Sequence, residues 1–130
     1  MIESQFYIRV LASGEQFPEM SIQNIEYANL SHICFGGMAS SSVTKNEIDK
    51  AYLVMHGSLD RHFLAYSEFI YLDIFKDITM VSNGIGDEFF KPFNVPTFEL
   101  YDLLMRWYKF LCVYENNEIP GLVYAGKLKS

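Results

Sequence analysis

The 130-residue chain has few of the features on which several common protein classes depend. Its two cysteines, Cys34 and Cys112, lie far apart and are too few for a disulfide framework, which indicates a reducing compartment. No apolar stretch approaches the length of a bilayer span, and the opening residues MIESQFYIRV lack the charged and apolar regions of a signal peptide. These absences predict a cytoplasmic protein.

Basic residues are also in the minority. Ten Lys and Arg stand against 16 Asp and Glu, which gives a formal net charge of −6. Phosphate binding depends on clustered Lys and Arg, so the composition argues against nucleic acid as the direct partner. It argues equally against an anionic membrane surface. A negative field instead steers basic proteins toward the chain.

Residues that carry catalysis or bind metals are present but not arranged in a motif. The spacing of His32, His56 and His62 matches no zinc site, and no cysteine or carboxylate cluster completes one. Cys34 lies in an apolar run without nearby Lys or Arg, so we expect a buried, inert thiol. The glycines of GGMASSSVTK do not have phosphate-loop spacing. We therefore predict no cofactor, no bound metal and no hydrolase activity.

The composition suits a well-packed core. Half of the residues are hydrophobic and 16% are aromatic, which predicts a single domain over 1–130. Alternation, aromatic content and turn residues predict strands at 5–11, 21–28, 30–35, 60–66 and 119–124. Gly, Pro and Ser predict irregular segments at 12–20, 36–42 and 83–96.

Helices are expected in three places. Thr44 and Glu47 have the spacing of a capping box, and a helix over 44–56 ends before Gly57. Segment 67–82 has apolar residues at helical spacing but also many strand-forming residues, and we favour helix. The apolar stripe over 97–114 predicts a helix that buries Leu104 and Trp107.

The predicted fold is α+β, with a small antiparallel or mixed sheet of three or more strands packed against two to three helices. Within it, residues 60–90 stand out because they hold six acidic and two basic residues, a net charge of −4. Aromatic residues interrupt these charges, an arrangement typical of a protein-binding surface. The predicted partner-binding residues are Asp60, Glu68, Tyr71, Asp73, Asp77, Asp87, Glu88 and Phe90.

The segment YSEFIYLDIF resembles the helix-start segment of some immunity proteins of bacterial contact-dependent growth inhibition systems, and the closing pattern FELYDLLMRWYKFL followed by EIPGLVY has a similar order of helix and then strand. The small, acidic and aromatic-rich profile fits the same group. The resemblance covers the C-terminal half. It implies a protein that binds and neutralises the C-terminal toxin domain of a secreted effector, in many cases a nuclease with a basic cleft. It assigns no inhibitory residue by position.

Two other functions remain open from the residues alone. One is a small enzyme or ligand-binding domain whose pocket is assembled from Cys34, His32, His62 and Asp60. The other is a subunit of a larger assembly that uses the aromatic segment 89–98 as its contact.

Overall fold

The computed structural model describes residues 1–34, 36–85 and 90–116, and its architecture is α+β, as predicted. One antiparallel sheet pairs β1 (Ser4–Val10) with β2 (Gln16–Ile22). The other has the order β3 (His62–Ser67), β4 (Ile70–Ile74), β5 (Ile78–Ser82) and β6 (Phe93–Pro96). The α-helices are α1 (Ser41–Met55) and α2 (Thr97–Glu115), and 3₁₀ helices span Ile25–Cys34 and Gly36–Ala39.

Helix α2 is at the centre of the core. Trp107 meets the ring of Phe6 edge-on at 5.4 Å between centroids and stacks with Phe110 at 5.7 Å. Its indole N–H donates to the carbonyl of Met38 at 2.8 Å, so the polar atom of this fully buried side chain is satisfied. The helix and the burial of Leu104 and Trp107 are confirmed. The fully buried residues of α2 are Thr97, Leu100, Leu103, Leu104, Trp107 and Leu111.

The first strand is confirmed, but the expected irregular segment at 12–20 is wrong in its second half. The chain reverses between Leu11 and Glu15, where the Leu11 N–H donates to the Glu15 carbonyl at 2.8 Å. Gly14 has φ +90°, a value that side chains rarely permit. This turn returns the chain as β2. Pro18 is compatible with that strand because a two-stranded sheet consists of edge strands.

The strands predicted at 21–28 and 30–35 are wrong. Only the end of β2 falls within the first of them, and Ile25–Cys34 is a 3₁₀ helix. Leu30 and Ile33 are buried at the three-residue spacing of such a helix, while Ile25 remains exposed. The expected loop at 36–42 is also shortened, because Gly36–Ala39 is helical and α1 begins at Ser41.

The helix α1 is confirmed, but its capping box is not. The Thr44 hydroxyl donates to the Met38 carbonyl at 3.1 Å, and Glu47 points into the protein. At the start of the helix, the backbone N–H of Ser41 has its acceptor on a residue that is distant in sequence. Glu115 accepts from the Ser41 backbone N–H at 2.8 Å and from its hydroxyl at 2.5 Å. A carboxylate from α2 thus replaces the local cap.

The other end of α1 follows the prediction. Gly57 has φ +81° and lies just after the helix. The Ser58 N–H donates to Leu53 and the Gly57 N–H to Val54, which is the Schellman arrangement.

The helix favoured for 67–82 is wrong, because this segment forms β4 and β5. Ile70, Leu72 and Ile74 are buried in strict alternation, and Leu72 did not belong to the helical pattern. Ser67 accepts the Phe69 N–H at 3.2 Å, so the bond expected of a helix cap closes the β3–β4 turn instead. The strand expected at 60–66 is confirmed as β3.

Segment 83–96, expected to be irregular, ends in strand β6, which leads directly into α2. Thr97 anchors this junction, because its hydroxyl donates to the Phe75 carbonyl at 2.6 Å and lies 3.0 Å from the Thr79 hydroxyl. The strand expected at 119–124 lies outside the described residues. Within the described ranges, no helix is long and apolar enough to cross a membrane.

We predict that Glu115→Ala destabilises the protein through α1 rather than α2. Two hydrogen bonds at the α1 N-terminus would be lost, at a cost of about 0.5–1 kcal/mol, the lower part of the range for caps because Glu115 is exposed. Urea unfolding followed by circular dichroism measures the change. Glu3→Ala, at another exposed carboxylate, serves as the control. Equal midpoints for the two variants would contradict the capping role.

Candidate functional site

The larger sheet has one buried and one exposed face. Leu64, Leu72, Val81 and Val95 point into the core, and the alternate residues of the same strands point away from it. We call this second side the outer face. Its members, spread over the four strands, are Phe63, Tyr71, Asp73, Ile78, Met80, Ser82 and Asn94.

The outer face is unusually apolar for a surface exposed to solvent. Phe63 and Met80 are 50% and 51% exposed, and Ile78 is 41% exposed. The ring of Phe63 meets that of Tyr71 edge-on at 5.7 Å. Phe69, in the adjoining turn, is 51% exposed. Contiguous apolar side chains of this kind mark interaction surfaces.

A polar pair sits among these apolar groups. Arg61 binds Asp73 through two hydrogen bonds, Nε to Oδ1 at 2.6 Å and Nη2 to Oδ2 at 2.9 Å. The same guanidinium lies over the ring of Phe75, 5.6 Å from its centroid. The two contacts fix Arg61 at one side of the outer face.

A groove of about 220 Å³ opens on the outer face beside this pair. Phe63, Asp73, Met80 and Asn94 form one row across the four strands, in register. Phe63 and Met80 therefore stand on either side of Asp73. The lining comprises these four residues with Val81, Ser82, Pro92 and Phe93.

The structure separates the predicted acidic residues. Asp77 lies in the β4–β5 turn, and Asp60 precedes β3 at the same end of the sheet. Glu68 lies in the β3–β4 turn at the opposite end, where its carbonyl accepts the Gly84 N–H at 2.9 Å. Five-residue strands place these two ends about 17 Å apart. Asp73 lies between them, so the charges flank the outer face instead of forming one cluster.

One further predicted residue, Phe90, does not lie on the outer face. Phe90 is only 7% exposed, and its ring packs against Phe93 and His32 at 6.3 and 6.2 Å between centroids. It is a core residue, because burial of an aromatic ring is more favourable than exposure. Asp87 and Glu88 lie outside the described residues.

A buried carboxylate links α1 to β3. Glu47 is 3% exposed, and its oxygens pair with His62 Nε2 and with the Tyr66 hydroxyl, each at 2.6 Å. The hydrogen bond between Tyr66 and Glu47, together with burial, raises the pKa of Tyr66 to about 12. The cluster holds the first strand of the sheet against the helix. Sequence reasoning missed it because Glu47 was assigned to a cap.

The residues proposed for an enzymatic pocket are dispersed. His62 is bound to Glu47, and His32 packs edge-on against Phe69. Cys34 is buried, and burial raises the pKa of its thiol to about 11. Asp60 is exposed in the loop before β3. The carboxylate that pairs with His62 is therefore that of Glu47 and not that of Asp60.

The described part of the chain contains no group of three or more His, Cys, Asp or Glu side chains that could hold a metal ion. The absence of a bound metal therefore stays a prediction for the whole protein.

Sequence reasoning also missed Phe63 and Met80, the two most exposed apolar residues of the outer face. The alternation in ITMVS and HFLAYS was the available signal. Comparison with protein-family models, with curated proteins and with solved structures finds no match to this chain.

We predict that the Cys34 thiol reacts very slowly in the folded protein. A pKa of about 11, against an ordinary 9.0, leaves about 100-fold less thiolate at pH 8, and burial also restricts access. The measurement is alkylation by iodoacetamide of a Cys112→Ser variant, in which Cys34 is the only thiol, with and without 8 M urea. Equal rates under the two conditions would contradict the burial and favour a reactive cysteine.

Proposed function

We propose that this chain binds and blocks another protein, and that the outer face of the four-stranded sheet is its binding surface. The observation that carries the proposal is that about half of Phe63, on the edge strand β3, and about half of Met80, on the inner strand β5, are exposed on the same face of the sheet. Burial of such side chains supplies most of the energy of a protein interface. Tyr71, a predicted site residue, is half-buried on the same face.

The charge distribution supports a basic partner. The chain carries a formal charge of −6, and Asp60, Asp77 and Glu68 are exposed at the two ends of the sheet. Charges at the rim of an interface raise the rate of association, while the apolar centre slows dissociation. A basic protein surface therefore meets an acidic rim and an apolar centre on the outer face.

The resemblance to immunity proteins suggests which protein is blocked. It now rests on the helix Thr97–Glu115, because YSEFIYLDIF forms strands and a turn instead of the start of a helix. We propose that the partner is the toxin domain of a secreted effector, in the first instance a nuclease, and that binding takes place in the cytoplasm. An inhibitor of this kind requires tight, rapid binding and no turnover chemistry. The first test is a search of the neighbouring genes for a large secreted protein with a toxic C-terminal domain. Co-purification with such a domain, and protection of cells that express it, then test the proposal.

A subunit of a larger assembly could use the same face, so the two functions are separated by protection from the toxin. In the described part of segment 89–98, Phe90 is buried and Phe93 is half-buried against Tyr27, whereas Phe98 is 63% exposed. Phe98 is therefore the aromatic side chain of this segment that an assembly contact would use.

We predict that Phe63→Ala and Met80→Ala each weaken the complex with the toxin domain by about 1–3 kcal/mol, mainly through faster dissociation. Surface plasmon resonance gives both rate constants. Ile25→Ala is the matched control, because Ile25 is 89% exposed but lies in the 3₁₀ helix Ile25–Cys34 and not on the outer face. The unfolding midpoints should stay within error. Unchanged dissociation in both outer-face variants would place the interface elsewhere.

The acidic rim is tested separately. We predict that combining Asp60→Asn, Glu68→Gln and Asp77→Asn slows association and flattens its dependence on salt between 20 and 150 mM, because steering is electrostatic. Asp87→Asn and Glu88→Gln extend the same test along the segment.

The control for the rim variant changes the net charge equally at other exposed carboxylates, with Glu15→Gln, Glu26→Gln and Asp49→Asn. The rim variant should associate several-fold more slowly than this control. Identical association rates would show that the carboxylates of segment 60–77 form an ordinary solvated surface.

A further inference from the structure

The groove on the outer face is lined by apolar and polar side chains that lie in one row across the strands. Phe63 and Met80 stand on opposite sides of Asp73 in the cross-strand row, and Asn94 continues the row. Strands are spaced by about 4.8 Å, so the two walls are about 10 Å apart at their backbones. After allowance for the side chains themselves, the space between them has the width of one extended side chain.

The carboxylate of Asp73 has further capacity for hydrogen bonds. Arg61 uses one lone pair on each oxygen. A carboxylate has about four acceptor positions, so two remain. Asp73 lines the groove, and its side chain is 20% exposed, which leaves a path for a donor from solvent.

The chemistry of the groove selects among possible occupants. A purely apolar side chain would cover the Asp73 carboxylate and the Asn94 amide without replacing their hydrogen bonds to water, which is costly. An anionic side chain would lie against the Asp73 carboxylate without a cation beside it, because Arg61 pairs with Asp73 but does not line the groove. A cationic head on an apolar stem satisfies both parts of the groove, because its methylene groups contact the walls and its N–H groups donate to the carboxylate.

Between the two cationic side chains, the geometry favours arginine. Its planar guanidinium can stack on the half-exposed ring of Phe63 while it donates to Asp73. Arg61 already shows this combination in the same place, because its guanidinium binds Asp73 and lies over Phe75. A lysine ammonium is more strongly hydrated and lacks a flat face.

We propose that this groove is the receptor for an arginine side chain of the partner protein, with the stem between Phe63 and Met80 and the guanidinium at Asp73. The inference rests on the proposed function, since it names the chemistry that the outer face recognises. It also assigns a role to Arg61, which occupies the Asp73 carboxylate in the free protein and competes with the incoming guanidinium for it.

The test uses the full chain and a small probe, so that it does not require the partner. N-acetyl-arginine amide is titrated into ¹⁵N-labelled protein, with N-acetyl-citrulline amide, of the same shape but uncharged, as the control ligand. We expect the arginine probe to shift the amide signals of Asp73, Ser82 and Asn94 with a Kd on the order of 1–10 mM. The citrulline probe should bind at least about 5-fold more weakly.

Variants then separate specific recognition of the guanidinium from nonspecific binding. Asp73→Asn should reduce arginine binding to the level of citrulline. Arg61→Gln should strengthen it about 2- to 5-fold, because the competing guanidinium is removed. Asp49→Asn is the matched control, because Asp49 also belongs to an exposed ion pair, with Lys45 on α1, and it should have no effect.

Equal shifts by the two probes, shifts centred on other residues, or binding unaffected by Asp73→Asn would each overturn the proposal. Weaker binding in Arg61→Gln would do the same. Because Arg61→Gln leaves Asp73 intact, it decides the question even if Asp73→Asn fails to fold. If the probe does not bind but Phe63→Ala still weakens the toxin complex, this inference fails and the proposed function stands. If the probe binds and no toxin does, the proposed function fails instead.

Discussion

The burial of α2 is the constraint on which the remaining structure depends. Side chains around much of this helix are removed from water, including Leu100, Leu103, Leu104, Trp107 and Leu111. One layer of structure cannot cover such a helix, so α2 is contacted by α1, by the β1–β2 hairpin and by strands of the larger sheet. Polar groups are used to fix these layers in position. The Trp107 indole binds the Met38 carbonyl, and the Thr97 hydroxyl binds the Phe75 carbonyl, so that apolar packing and directional bonds act at the same contacts.

This arrangement explains why the larger sheet has an uncovered face. Its inner side chains are used to cover α2, while Glu47 holds β3 to α1 through His62 and Tyr66. The opposite side is left with Phe63 and Met80 half-exposed beside the Arg61–Asp73 pair. An antiparallel sheet with one face in water usually carries polar residues there. The apolar outer face lowers the solubility of the chain, and the net charge of −6 acts in the opposite direction. An exposed apolar face of this kind supports the proposal that a partner protein covers it.

Part of this structure could be predicted from the sequence, and the reasons are local. The apolar stripe of α2 is long enough to be unambiguous, and Gly57 supplied a conformation that the end of α1 requires. Segment 67–82 could not be assigned in the same way, because isoleucines four residues apart satisfy a helix while alternation with Leu72 satisfies a strand. Pairing of this segment with its neighbours in the larger sheet stabilises the strand, and this pairing is not visible in the local sequence. The roles of Glu47 and Glu115 were also beyond reach, because each depends on residues far away in sequence. The groove was missed for the same reason, since its row joins four strands.

If the partner covers the outer face, binding must protect the side chains of that face, and oxidative footprinting of the complex measures this protection. Met80 is 51% exposed on that face, and Met1 is 83% exposed on another part of the surface, so each complex contains its own reference. Oxidation of both methionines by hydroxyl radicals is followed by mass spectrometry, with and without the toxin domain at saturation. We expect binding to slow the oxidation of Met80 several-fold and to leave the oxidation of Met1 unchanged. Oxidation of Met80 at an unaltered rate in a saturated complex would contradict this expectation.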